Sequence, residues 1–226
     1  MKMTILNYNL ILTCEHAGQR IYPELKGFKL PRYYKNSHQA YDLGALKLAQ
    51  LLQSKTKAPL FYFNYSRLII DANRSDSNPA VWGPFGKNLN LKLKQTIKQN
   101  YYDPFRGNVY SRIKKSPKPV LHLSIHSMAA NLNNVDRDCD ISFLYDSKRQ
   151  KERALCLDLK SVCELFGLKC RLNYPYLGKS DGHCTSLRKF FSQQDYLGIE
   201  VEVNQKNIDH INVISDIIHF GLKLQS

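Results

Sequence analysis

Apolar positions along the chain follow two spacings. Short apolar runs occur at Leu10–Cys14, Leu60–Phe63, Leu68–Asp71, Val120–Ile125, Ile141–Tyr145, Leu168–Leu172 and Ile199–Val203. Their length and continuity predict buried strands. The run from Val120 follows the breaker Pro117-Lys118-Pro119. Between the runs, Tyr41, Ala45, Leu48 and Leu52 recur at three- and four-residue steps. They predict a helix over His38–Gln53, with Ser37 as its N-cap. A long helix is expected over Arg149–Phe166, stopped by Gly167. Asn88–Asn100 has weaker helical spacing, and Ile208, Ile211, Ile214, Ile218 and Leu222 mark a terminal amphipathic helix. Strand–helix alternation predicts an α/β fold, a three-layer α/β/α sandwich with a mixed, largely parallel sheet. No repeat or linker divides the chain, so residues 1–226 are read as one domain.

Composition narrows the class. At 226 residues with 43% hydrophobic and 23% charged, the chain is long enough to bury a core without disulfides or structural metal. No run of 18 apolar residues exists, which excludes a membrane-spanning helix. The start, from Met1 to Leu12, is interrupted by Asn7 and Asn9 and does not form a signal-peptide core, so a cytoplasmic location is expected. The six cysteines form no CxxC pair and read as reduced, buried thiols. Lys and Arg number 33 against 19 Asp and Glu, a net charge of +14. Basic residues gather between Lys87 and Lys118, but no nucleic-acid-binding signature accompanies them. A solvated basic surface is the better reading, and a nucleic-acid-binding protein on a hydrolase-like scaffold is the alternative.

In sheets of this kind, functional groups collect beyond the carboxyl ends of the strands. The first strand ends in Glu15-His16 and the central one in His126-Ser127. The last strand carries Glu200 and Glu202, and Leu68-Ile69-Ile70 leads into Asp71-Ala72-Asn73-Arg74. Imidazoles and carboxylates in that arrangement suit a mononuclear zinc site, which takes three protein ligands and keeps one open position. His38 and Asp42, four apart, share a face of the predicted helix.

These blocks resemble the N-formylglutamate amidohydrolase family. The similarity runs in order through Cys14-Glu15-His16-Ala17-Gly18, His38 to Ala45, Ser66 to Arg74, Ser124 to Ser127, Asn173 to Tyr176 and Gly198 to Val203. The Cys-Glu-His-Ala-Gly start resembles the broader family more than the enzyme of histidine degradation, where Pro-His-Ser-Gly is expected. The same blocks are similar to zinc carboxypeptidases, so the resemblance implies a zinc carboxypeptidase-like fold and one zinc per chain. It implies His16 and His126 as metal ligands, with Asp42 as the third and Glu15 as its rival. It implies Glu202 as the carboxylate that moves the proton, although Glu200 shares its strand face. Asn73 and Arg74 would hold a substrate carboxylate, and Arg67 would stabilise the oxyanion. The implied reaction is metal-dependent hydrolysis of an N-acyl amide, possibly N-formyl, on a small carboxylate-bearing amino acid or peptide-like substrate.

Other motifs are read as structural. Gly178-Lys179-Ser180-Asp181-Gly182 lacks the spacing of a phosphate loop and reads as a surface turn that could cover the substrate. His183 and Cys184 are adjacent, which does not make a catalytic pair. His122 reads as a supporting or core histidine, and His210 and His219 as structural residues of the last helix.

Overall fold

The computed structural model describes residues 8–35 and 37–224. In chain order the regular elements are β1 (Asn9–Cys14), α1 (Ala45–Thr56), β2 (Leu60–Tyr62), α2 (Leu91–Ile97), α3 (Asp103–Lys114), β3 (Val120–Met128), β4 (Asn131–Leu132), β5 (Val135–Asp136), β6 (Ile141–Leu144), α4 (Gln150–Leu165), β7 (Cys170–Leu172), α5 (His183–Arg188), β8 (Tyr196–Asn204) and α6 (Ile211–Lys223). Six strands form one sheet in the order β2-β1-β3-β8-β6-β7. The first four run parallel, β6 is antiparallel to β8, and β7 is parallel to β6. The fold is therefore a mixed, mostly parallel sheet flanked by helices. No helix of the described residues is long and apolar enough to cross a membrane.

Period-two alternation divides the sheet's side chains between two layers. Leu12 and Cys14 of β1, Leu121, Leu123 and Ile125 of β3, and Leu197, Ile199, Val201 and Val203 of β8 share one face. They pack with Leu48 and Leu52 of α1, Leu155 and Leu159 of α4, and Ile211, Ile214 and Ile218 of α6. The other face carries Ile11, Val120 and Tyr196 against Val109 and Ile113 of α3 and Leu187 of α5. Beyond them, toward the carboxyl ends of β1, β3 and β8, that face turns polar.

Three predicted elements come out differently. The helix expected from His38 starts at Ala45, with Gly44 rather than Ser37 at its N-cap. Gly44 has φ +79°, and a Cβ there would also press on Ile208 and Ile211 at 3.2 and 3.3 Å. That left-handed residue breaks the helical run, so Asp42 lies in the preceding turns, where its N–H donates to the His16 carbonyl. Leu68–Asp71 is no strand of the sheet but a set of turns with one antiparallel bridge, Ile70 to Trp82. Its apolar residues are buried in separate clusters, Ile69 and Ile70 with Tyr22, Val81 and Tyr102. The Asn88–Asn100 helix continues through a π-helical turn, Lys98–Tyr102, into α3. This extension supports the loop over residues 72–74. The Tyr102 hydroxyl donates to the Arg74 carbonyl at 2.6 Å, and Arg106 Nη1 donates to the Ala72 carbonyl at 3.0 Å.

Candidate active site

Parallel pairing of β1, β3 and β8 aligns their polar residues in rows. Thr13 pairs in register with Ser124, Ser124 with Glu200, and His126 with Glu202. His16 follows the end of β1, and the turn before α1 brings in Asp42. As a result His16, Asp42 and His126, far apart in the chain, meet as a buried group whose candidate ligand atoms all lie within 4.8 Å of one another. Asp42 Oδ2 is 2.8 Å from His126 Nδ1 and 3.3 Å from His16 Nδ1.

The opposite ring nitrogens have partners of their own. His16 Nε2 donates to Asp71 Oδ1 at 2.7 Å. Arg67 Nη2 donates to the other oxygen of Asp71 at 2.8 Å, and Arg67 Nη1 lies 3.2 Å from His16 Nδ1. His126 Nε2 is 2.9 Å from Ser124 Oγ, which itself donates to Glu15 Oε2 at 2.7 Å. Ser124 has spent its proton on the carboxylate, so the imidazole must be the donor of that pair. Both rings are thus oriented with Nδ1 toward Asp42, the second-partner arrangement that fixes tautomer and angle in metal-binding histidines. Two imidazoles and one carboxylate form a donor set suited to zinc.

Glu15 sits behind this cluster. It is fully buried and accepts from Thr13 at 2.6 Å, Ser124 at 2.7 Å and His183 Nδ1 at 2.8 Å. Thr13 in turn accepts from His122 Nε2 at 2.7 Å, and His122 Nδ1 accepts from the Tyr196 hydroxyl at 2.7 Å. Each donor points down one path and the path ends on the carboxylate. Burial raises the pKa of Glu15, but the His126 and His183 hydrogen bonds outweigh it and hold the carboxyl well below its ordinary range. Burial also pushes His122 down to about 3, which keeps it neutral. Glu15 therefore faces His183 and the hydroxyls rather than the space beside Asp42.

The cluster opens into a cavity of about 660 Å³. Asn73, Arg67, Arg74, Glu200 and Glu202 stand in its wall together with His16, Asp42 and His126. Burial, with Asp42 and Glu200 adding negative charge, pushes the Glu202 carboxyl up to about 7. Its Oε2 has no hydrogen-bond partner among the described residues. Glu200 is also raised, chiefly by burial. In Asp42 and Asp71 the desolvation is overcome by facing cations and imidazoles, and both carboxyls stay below the ordinary range.

Several residues have roles that spacing did not reveal. His183 is buried and bonded to Glu15, which lies 168 positions away. The segment from Gly178 is the expected turn, with Lys179 and Ser180 exposed, but Gly178 itself is buried and a Cβ there would come within 2.1 Å of the Tyr145 nitrogen. Arg188 pairs with the buried Glu152 at 3.0 Å. Arg137 and Tyr176 line the cavity, and no motif marked Arg137. In the basic stretch, Lys98 pairs with Asp103 at 2.7 Å and Asp76 at 3.3 Å, so part of its charge serves the fold.

The fold places a buried His-Asp-His group and a polar cavity at the carboxyl ends of a mixed α/β sheet. The profile of the N-formylglutamate amidohydrolase family matches residues 8–208. The chain belongs to that family. Among solved structures it resembles the gene product Atu2144 from Agrobacterium tumefaciens, at 25% identity and a TM-score of 0.80, covering 97% of this chain and 91% of that one. It also resembles the N-formylglutamate amidohydrolase from Ralstonia eutropha JMP134, at 15% identity and a TM-score of 0.68, covering 99% and 97%. No curated protein matches the chain.

Proposed function

We propose that this protein is a zinc-dependent amidohydrolase that cleaves an N-acyl amide of a small, carboxylate-bearing substrate. The observation that carries this reading is the convergence of His16 Nδ1, His126 Nδ1 and Asp42 Oδ2, with each imidazole held from behind. These three side chains would hold the metal. Bound there, zinc supplies Lewis acidity and lowers the pKa of water toward ~7.

The remaining work falls to the protein's own groups. Glu202, raised to about 7, is matched to take a proton from the attacking water near neutral pH and deliver it to the leaving nitrogen. Arg67 is held by Asp71 beside the cluster, where its guanidinium can stabilise negative charge on the carbonyl oxygen. Asn73 and Arg74, with Arg137, offer donors along the wall for the substrate's carboxylate. The burial of Glu200 beside Asn73 makes it a wall residue in this scheme.

The test is a hydrolysis screen on zinc-loaded protein with N-formyl, N-acetyl and longer N-acyl amino acids, alongside metal analysis. We expect about one zinc per chain and turnover of at least one N-acyl class. Stoichiometric zinc with no amide cleaved across the screen refutes the reaction, and failure to bind zinc refutes the site.

A further inference from the structure

Three guanidinium groups line the cavity, those of Arg67, Arg74 and Arg137. Their surroundings differ. Arg67 is paired with Asp71 at 2.8 Å and lies 3.7 Å from Asp42 Oδ1. Arg74 Nη1 donates to the Asp181 carbonyl at 2.6 Å. The Asp181 carboxylate accepts from Ser75 N at 3.0 Å and Asn78 Nδ2 at 2.6 Å, so Arg74 belongs to a strap between two loops.

Arg137 is different. Neither it nor Arg74 forms an ion pair with a carboxylate of the described residues, but Arg137 is only 8% exposed, whereas Arg74 is half-buried. Arg137 Nη2 donates to the Tyr176 hydroxyl at 2.8 Å, and the guanidinium lies 5.2 Å from the centre of the Tyr176 ring. A ring face and one hydroxyl offset only part of the cost of drying a cation. The backbone around it is well fixed. Arg137 N–H donates to the Ala130 carbonyl at 2.8 Å, and its own carbonyl accepts from Asn204 Nδ2 at 3.0 Å. Asn204 is two residues beyond Glu202 on β8, so the cation is anchored to the strand that carries the proposed proton acceptor.

From this contrast we infer that Arg137, rather than Arg74, is the specificity-determining residue that receives the substrate's carboxylate. The inference rests on the amidohydrolase reading above and chooses between the anion sites that reading leaves open. An incoming carboxylate completes the charge of the buried Arg137, whereas the half-buried Arg74 already spends Nη1 on the Asp181 backbone carbonyl and is the more hydrated cation. Tyr176 holds the guanidinium plane for two-point contact.

The experiment measures equilibrium binding to zinc-loaded protein carrying Glu202→Gln, which stops turnover. The probes are N-formyl-L-alanine and N-formyl-L-alaninamide, which differ in the charged group alone. The parent is expected to favour the acid by roughly 10- to 100-fold. Adding Arg137→Ala should bring the ratio close to one, and adding Arg74→Ala should leave most of it. Tyr176→Phe should lower the ratio a few-fold. If Arg137→Ala does not fold, Arg137→Gln keeps the stem and a donor for Tyr176 and carries the same expectation. An acid preference that survives loss of Arg137, one that disappears with Arg74 alone, or a parent that does not prefer the acid each overturns the assignment. None of these results touches the hydrolytic reading, which turnover of neutral amides tests separately. An Arg137-dependent preference in a protein that cleaves no amide would instead sink that reading alone.

Discussion

On β3, Leu121, Leu123 and Ile125 point to one side of the sheet while His122, Ser124 and His126 point to the other, and both sets are buried. The apolar side is held by shape and dryness, and it tolerates apolar side chains of similar volume best. The polar side is held by direction. From Tyr196 through His122 and Thr13, and from His126 through Ser124, each hydrogen bond has a donor facing an acceptor and ends at Glu15. A buried polar group without its partner costs the full penalty of desolvation, so this side tolerates few substitutions. One strand thus serves stability with one face and chemistry with the other, and mutations on the two faces should separate the two properties.

The largest separation is expected at His126. Replacing it with alanine should abolish stoichiometric zinc and lower turnover by more than ~10⁴-fold, as read by metal analysis after dialysis and by hydrolysis. Glu202→Gln should keep its zinc and lose ~10²- to 10⁴-fold in kcat. In the intact protein kcat/KM should rise with pH on an acidic limb at or below about pH 7, since Glu202 must be ionised to accept a proton and a bound cation can only lower its pKa. Retention of that limb in Glu202→Gln would assign it to another group.

On the apolar face, Leu123→Ala should cost ~2–5 kcal/mol of stability by denaturant titration, with zinc affinity unchanged. A large change in zinc affinity there would break the division between the faces. Glu202 also links the faces through pH. Its folded pKa of about 7 lies above the ordinary 4.5, so its contribution is fully present below pH 4.5 and is lost as pH rises through 7. Metal-free Glu202→Gln should therefore be more stable than the parent above pH 7, by up to ~3 kcal/mol. The smallest effect belongs to Glu15→Gln, which keeps the shape of the path and removes its charge. It should weaken zinc binding by ~10- to 100-fold in a chelator competition, with the fold intact by circular dichroism.

The long apolar runs read well from sequence because strands buried on both faces need little polar relief. β1, β3, β8, α4 and α6 all lie where their patterns predict. Leu68-Ile69-Ile70 misled for the same reason: its side chains are as buried as a strand's, but in turns, and burial alone does not distinguish the two. The start of α1 was misplaced because the apolar spacing runs past Gly44, whose left-handed backbone decides the break. In the site, His16, Asp42, His126 and Glu202 stand out by position at strand ends and in family blocks, whereas His183 and Arg137 do not.

The chain's local order by itself determined the sheet-and-helix alternation and the residue types at the strand ends, since both follow from periodicity within a few positions. Only the tertiary structure decided which groups face one another: that Glu15 backs His126 instead of joining Asp42, that Asp71 holds both His16 and Arg67, and that Arg137 reaches the cavity without a carboxylate. The reason is that such partnerships depend on where distant segments pack, and neither hydrophobic spacing nor the short-range preferences of a residue carry that information.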